Sequence, residues 1–294
     1  MRCVKSPAGR THDRLSIMRT LLIEDRPEGG PELRVLLRER CGGPLEAKSK
    51  LQAAIEALAA RHALTANLSI AHDVVNRIGF TPEVQGLTKK TVNLALKLIG
   101  NSPALSPILT RLRKHQGKYI TSHSLMLAEV SCAIAHRVGW GEPSVFMKLC
   151  FAAFLHDLAL SDNVLAQFRT LSELKEAEFG PEAVHVFRLH PIKAAEYASQ
   201  FTGIPSDVDI ILLQHHEQPD GGGFPRGLHH QQINPMAGIF IIAHDLLHFF
   251  IDQVPTNDRK DMLPLFLERN VVRYRDGLFA KIRNSLETGE PVMG

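Results

Sequence analysis

Twelve of the 15 histidines in this chain fall between His115 and His248, less than half its length. Imidazole ligates divalent metals and exchanges protons near neutral pH, so such crowding calls for a chemical reason. One histidine on an apolar helix is more often ordinary than a ligand, and context must separate the candidates. The dipeptide His-Asp occurs at 12–13, 72–73, 156–157 and 244–245, so by itself it signals nothing. His156-Asp157, however, ends the apolar run Phe151-Ala-Ala-Phe-Leu155. Burying two ionisable side chains there without partners would cost several kcal/mol, and a cation ligated by both removes most of that penalty. His215-His216-Glu217 follows the apolar Ile210-Ile-Leu-Leu213 in the same manner. Adjacent helical residues diverge by ~100°, so this pair reaches one metal only near a helix end or where other helices supply the remaining ligands. Three such residues stand out: His123, expected to open a helix Ser124 to Val138; His190, just before Pro191; and Asp245, inside the otherwise apolar Ile239 to Ile251.

The set His123, His156, Asp157, His190, His215, His216 and Asp245 is too large for a single metal. Imidazole and carboxylate without thiolate suit iron, manganese, nickel or zinc and argue against a cysteine-rich structural zinc site. Two ions bridged by a carboxylate, for which Asp157 is the candidate, would lie about 3.5–4 Å apart and could share a hydroxide, an arrangement that hydrolyses phosphoesters. His229, His230, His244 and His248 are near this set in sequence only, and His136 and His185 read as ordinary.

The elements that must position these residues are helical. Apolar residues recur at helical spacing from Leu45 to about Arg113, with breaks near Thr81-Pro82 and Asn101-Ser-Pro103. Helical patterns continue over Ser124 to Val138, Pro143 to Leu158, His190 to Phe201, Ser206 to His216, Pro235 to Val254 and Arg259 to Leu286. Alternating β-branched runs are nearly absent, which predicts an all-α fold. Met18 to Asp25 reads as a short strand or local loop. A signalling receiver domain can begin this way, but the turn-rich Pro27 to Pro31 and Cys41 to Pro44 follow, without a strand and helix repeat.

Composition sets outer limits. With 294 residues and a hydrophobic fraction of 44%, the chain has material for about two compact units. Lys+Arg 34 against Asp+Glu 31 leaves a formal charge of +3, with no long basic run of the kind that tracks DNA. No stretch reaches the ~18 uninterrupted apolar residues of a membrane span, and Met1 to Arg14 lacks a signal peptide's apolar segment, so a cytoplasmic protein is expected. Cys3, Cys41, Cys132 and Cys150 form no CxxC pair, and two of them sit in apolar helical contexts where buried free thiols are common.

In order and spacing, His123-Ser, His156-Asp157, His190-Pro191, His215-His216-Glu217-Gln-Pro-Asp220-Gly-Gly-Gly-Phe-Pro225 and Ala243-His-Asp245 resemble the HD-GYP subgroup of the HD-domain metal-dependent phosphohydrolases. The likeness runs from about Tyr119 to the C-terminus. It implies a helical HD-domain bundle over 116–294, preceded by an N-terminal helical region, 45–115, of regulatory or dimerising role, while residues 1–44 read as a tail with a short strand or loop of unassigned role. It further implies two divalent metals, with iron the first choice and manganese, nickel or zinc as alternatives, held by the seven residues above. The implied activity is hydrolysis of cyclic di-GMP to linear pGpG or GMP, with Asp157 at the reacting centre. The alternative is a catalytically weak or inactive signalling module that binds cyclic di-GMP or a diguanylate cyclase (GGDEF) partner; a homodimer is a further expectation.

Departures from the subgroup pattern motivate that alternative. The first signature, His-Asp-x-Gly-Lys in the subgroup, reads His156-Asp157-Leu158-Ala159-Leu160 here, so its lysine is absent. An arginine and a tyrosine expected around a later proline are replaced in Val254-Pro255-Thr256. Tyr119 occupies the place of the glutamate that serves a third metal, which predicts two metals. Phe224 replaces the naming tyrosine and keeps a ring while losing a hydroxyl. Lys193, Arg226 and Arg188 are the candidate replacements for the missing substrate-binding cations, whereas Glu217, Asp220, Gly223, Phe224 and Pro225 are expected to order the loop beside the metals.

Overall fold

Proline already has the backbone angle of a helix and lacks an N–H that the first turn leaves unpaired, so it favours helix starts. Five of the helices begin on one. The computed structural model describes residues 44–101, 103–111, 119–252 and 262–292. In chain order they form α1 (Pro44–Ile78), α2 (Pro82–Ile99), α3 (Leu105–Arg111), α4 (Tyr119–Arg137), α5 (Pro143–Leu155), α6 (Leu171–Glu176), α7 (Pro181–Ser199), α8 (Val208–Gln214), α9 (Pro235–Asp252), α10 (Met262–Arg269) and α11 (Gly277–Thr288). Thr81 caps α2 through its side chain, and Thr170 with Glu173 forms a capping box on α6.

Among the described residues there is no strand, only a lone bridge between Asp220 and His229, so the all-α expectation is what the structure shows. No described helix is long and apolar enough to cross a membrane. The expected strand or loop at Met18 to Asp25, as well as Cys3, Cys41, His115 and Val254-Pro255-Thr256, lie outside the described residues.

The chain divides into two units, Met1–His62 and Ala63–Gly294. The first is described only from Pro44, as the beginning of α1. The second holds every residue considered below. Its centre is α4, buried almost all the way round, packed against α5 and α9. A helix apolar on all sides belongs in a core, and a polar residue on it is conspicuous. α8 packs on α7 and also contacts α5 and α9. A smaller apolar cluster of Ile120, Leu160, Leu165, Ala166, Leu174, Phe187 and Phe224 stands apart from the main core.

Several boundaries differ from the sequence reading. α4 starts at Tyr119, so His123 lies in its second turn rather than at its opening. α7 starts at Pro181, and His190-Pro191 sits mid-helix; its first half has only Phe187 fully buried, too little apolar periodicity to be read. The single helix expected from Arg259 to Leu286 is interrupted between α10 and α11, which opens on Gly277 at φ 57°.

Candidate metal centre

Three of the candidate histidines are positioned by a carbonyl of their own helix. α5 ends at Leu155, and the His156 ring donates from Nδ1 to the Ala153 carbonyl at 2.9 Å. α8 ends at Gln214, and His215 donates from Nδ1 to the Leu212 carbonyl at 2.6 Å. Helix ends leave carbonyls without intrahelical partners, and these two rings use them. His190 reaches the same geometry in mid-helix, donating from Nδ1 to the Phe187 carbonyl at 2.5 Å. Phe187 lies four residues before Pro191, whose missing N–H frees that carbonyl from its helical bond. His216 donates from Nδ1 to the Arg169 carbonyl at 2.9 Å.

With Nδ1–H committed to a carbonyl, each of these rings presents the Nε2 lone pair, as metal-bound histidines do. The Nε2 atoms of His190 and His215 are 3.0 Å apart. Two lone pairs at that distance repel unless a cation lies between them. His123 has both ring nitrogens buried without a hydrogen-bond partner, and His156 Nε2 and Asp157 Oδ2 are likewise buried without one. The two latter atoms nevertheless lie 3.0 Å apart, a close contact without hydrogen-bond alignment. Asp157 Oδ1 is 3.5 Å from His190 Nε2, so this carboxylate stands between the His156 and His190 sides.

Burial holds the imidazoles neutral, the form that binds metal. It lowers His123 to about 3 and His190 to about 4, and it drives His215, His216, His244 and His248 well below the ordinary histidine value. Burial pushes Asp157 up, but the facing imidazoles of His156, His190 and His123 outweigh it and hold the carboxylate well below its usual range.

Among the described residues, three groups have donor atoms that lie, within each group, no more than 4.8 Å apart: His190, His215 and His216; His123, His156 and Asp157; and His123, His244 and His248. The first two gather six of the seven residues selected from the sequence. The third corrects the reading that His244 and His248 are near the site in sequence only. One helical turn separates them, so both project from the α9 face that meets α4. Their i,i+4 spacing on an apolar helix was the signal. Asp245, rotated by one residue, belongs to none of these groups and has Arg273 at 2.9 Å from Oδ2 and the Tyr274 hydroxyl donating to it.

Of the cations selected from the sequence, Lys193 is exposed and paired with Glu196 at 2.8 Å, and Arg188 and Arg226 are exposed. Arg169 and Arg273, which sequence reasoning passed over, lie closer: Arg169 through its carbonyl on His216, Arg273 on Asp245. The loop residues are tightly ordered. Glu217 accepts the Arg226 and Leu228 amides, each at 2.8 Å, and Asp220 accepts the Gly222 amide at 2.9 Å. A Cβ on Gly223 would stand 2.3 Å from the Gln218 nitrogen, so only glycine fits there. Phe224, joined to Pro225 by a cis bond, stacks on His216 with ring centroids 4.6 Å apart. Leu160, in the place of the signature lysine, is fully buried in the same small apolar cluster as Phe224, and its carbonyl accepts His72 Nε2–H at 2.6 Å. Two of the departures from the subgroup pattern thus meet in one apolar patch beside the histidines.

The HD domain family profile matches residues 103–260, more than half of the chain. The chain belongs to the HD domain family. Among curated proteins, this HD domain chain is 27% identical over 165 residues to a cyclic di-GMP phosphodiesterase of Thermotoga maritima, covering 55% of this chain and 42% of that protein. It is 30% identical over 132 residues to one of Pseudomonas aeruginosa, covering 44% and 30% respectively. A third, from Borreliella burgdorferi, is 27% identical over 143 residues, covering 49% of this chain and 36% of its own length. The chain thus spans less than half the length of these relatives. Among solved structures, an HDG"Y"P protein from Bdellovibrio bacteriovorus shares the fold, with a TM-score of 0.57 and 20% identity over 93% of this chain and 79% of that one. The HD-GYP resemblance of the sequence motifs accords with these likenesses.

Proposed function

We propose that this HD domain is a metal-dependent phosphodiesterase that hydrolyses cyclic di-GMP to linear pGpG or GMP at a two-metal centre. The observation that carries the reading is the pair of Nε2 atoms of His190 and His215 facing each other at 3.0 Å with both Nδ1 atoms committed to carbonyls. Such a donor set fits a divalent cation. The activity assigned to the three curated relatives supplies the substrate.

In this reading His190, His215 and His216 hold one ion and His123 and His156 the other, with Asp157 between them. Asp245 is the seventh ligand by resemblance, although its carboxylate here engages Arg273 and Tyr274. Bound there, two ions would supply a nucleophile from water and stabilise the negative charge that develops on the phosphoryl group. The protein's part is to aim the lone pairs through the carbonyl bonds and keep them neutral by burial. Glu217 fixes the Gly-Gly-Gly-Phe-Pro loop over His216 through the Arg226 and Leu228 amides. Incubating iron- or manganese-loaded protein with cyclic di-GMP should yield linear product, and the Asp157→Ala variant should yield none. No turnover by a fully loaded site would overturn the hydrolase reading.

One observation favours a second reading, a module that binds cyclic di-GMP or a diguanylate cyclase partner without efficient hydrolysis. Leu160 replaces a cation with a buried alkyl chain, while Lys193, Arg188 and Arg226 face solvent. Tight nucleotide binding by the metal-loaded protein with no product would support it, and rapid turnover would remove it.

A further inference from the structure

We propose that His244 and His248 are metal ligands, holding the second ion together with His123 in the place that Asp245 would otherwise fill. The inference rests on the metal-centre reading above and specifies one of its two sites. It departs from the ligand set that the motif resemblance implies, because it replaces a carboxylate with two imidazoles.

Four observations converge on it. First, the donor atoms of His123, His244 and His248 come within 4.8 Å of one another, and all three residues are buried. Their ring centroids are 4.6 to 5.0 Å apart, pair by pair. Second, three of the ring nitrogens have no partner. Both ring nitrogens of His123 and Nδ1 of His248 have no hydrogen-bond partner, and the Nε2 atoms of His244 and His248 face each other at 3.3 Å. A buried polar atom left unpaired is costly, and a cation shared by the three converging rings would take up lone pairs that a single imidazole-to-imidazole contact leaves unused. Third, histidines four residues apart on one helix face can clamp a single ion, and α9 presents this pair to α4, which carries His123. Fourth, the Asp245 charge is already compensated. Arg273 lies 2.9 Å from its Oδ2 and Tyr274 donates to it, so a turn toward the ions would break both contacts and deprive the Arg273 guanidinium of its nearest carboxylate.

The replacement changes the chemistry. With Asp157 as the sole carboxylate, the centre would carry one more unit of positive charge than one that also uses Asp245. Imidazole-rich donors favour zinc, nickel, copper or iron over the harder magnesium and calcium. A more positive centre suits an anionic phosphodiester and lies beside a wall that lacks the signature lysine.

Anomalous diffraction from crystals of the full chain loaded with cobalt(II) or zinc(II) tests this directly. The expected result is an ion about 2.0–2.2 Å from one ring nitrogen of each of His123, His244 and His248, with Asp245 still on Arg273. An ion ligated by Asp245, with His244 and His248 turned away, would overturn the inference while leaving the metal centre standing. No bound ion at all would overturn both. In solution, a His244→Ala/His248→Ala variant with wild-type far-ultraviolet circular dichroism should retain one cobalt(II) per chain where the wild type retains two, and lose about half of the visible cobalt absorbance. Retention of two ions with an unchanged spectrum would again sink the inference alone. Should that variant fail to fold, the diffraction experiment on the unaltered protein still decides.

Discussion

The central residues are neutral imidazoles, and their neutrality has a pH signature. The folded-state values of about 3 for His123 and about 4 for His190 lie below the ordinary 6.5. The unfolded chain therefore takes up protons first, and the stability contributed by these rings is present above pH ~6.5 and is lost as pH falls from there toward the folded values. Thermal melts of the metal-free protein between pH 7.5 and 5 should show a falling Tm, and a flat profile would contradict this. Asp157→Ala should lower turnover by at least ~100-fold, the scale at which even groups supporting a metal ligand matter, in a steady-state assay at saturating metal. At this scale much was legible in the sequence. His156, Asp157, His215 and His216 stood out because ionisable residues followed apolar runs, and His190 through its place before Pro191. The orientations of His244 and Asp245 were not legible. Which of two adjacent residues joins the histidine cluster depends on Arg273 and Tyr274, which approach from a turn almost thirty positions later and satisfy the carboxylate.

At the level of elements, one proline and one glycine hold the geometry. Pro191 leaves the Phe187 carbonyl free for His190. Pro191→Ala would restore the helical N–H and make it compete for that carbonyl. Metal affinity should fall about 10–100-fold by competition with a chromophoric chelator, while the helix itself gains in propensity. Unchanged affinity would remove the proline's role in aiming His190. Gly223→Ala would drive a Cβ into the backbone at Gln218, and an overpacking cost of about 1–3 kcal/mol should appear as a lower denaturation midpoint. The helical pattern of α5 and α9 was legible because their apolar residues are dense and start at proline. The first half of α7 was not, since its burial is confined to Phe187, and neither was the α10–α11 turn, where a helical pattern spans a polar interruption. Leu160 and Phe224 were legible only as separate departures. Folding shows them as one apolar patch with Phe187.

For the molecule as a whole, the proposed ligands come from α4, the end of α5, α7, the end of α8 and α9, so ions bound at their convergence would tie the fold together. A ligand present at a hundred times its Kd stabilises by about 2.7 kcal/mol. Stripping the protein with a chelator should therefore lower Tm by roughly 5–10 °C for a unit of this size, reversibly on adding metal back. No shift would mean that the histidine cluster binds no metal in the folded state. The all-α class was legible because helical spacing recurs along the chain. The division at His62 was not, since it falls inside α1, where no break in pattern marks it. The most direct test of the account is the rate of linear dinucleotide formation from cyclic di-GMP as the metal-free protein is titrated with iron(II) or manganese(II) under anaerobic conditions. The account predicts a rate that rises with loading, saturates near two ions per chain and vanishes with chelator. A fully loaded protein that releases no linear product would contradict it.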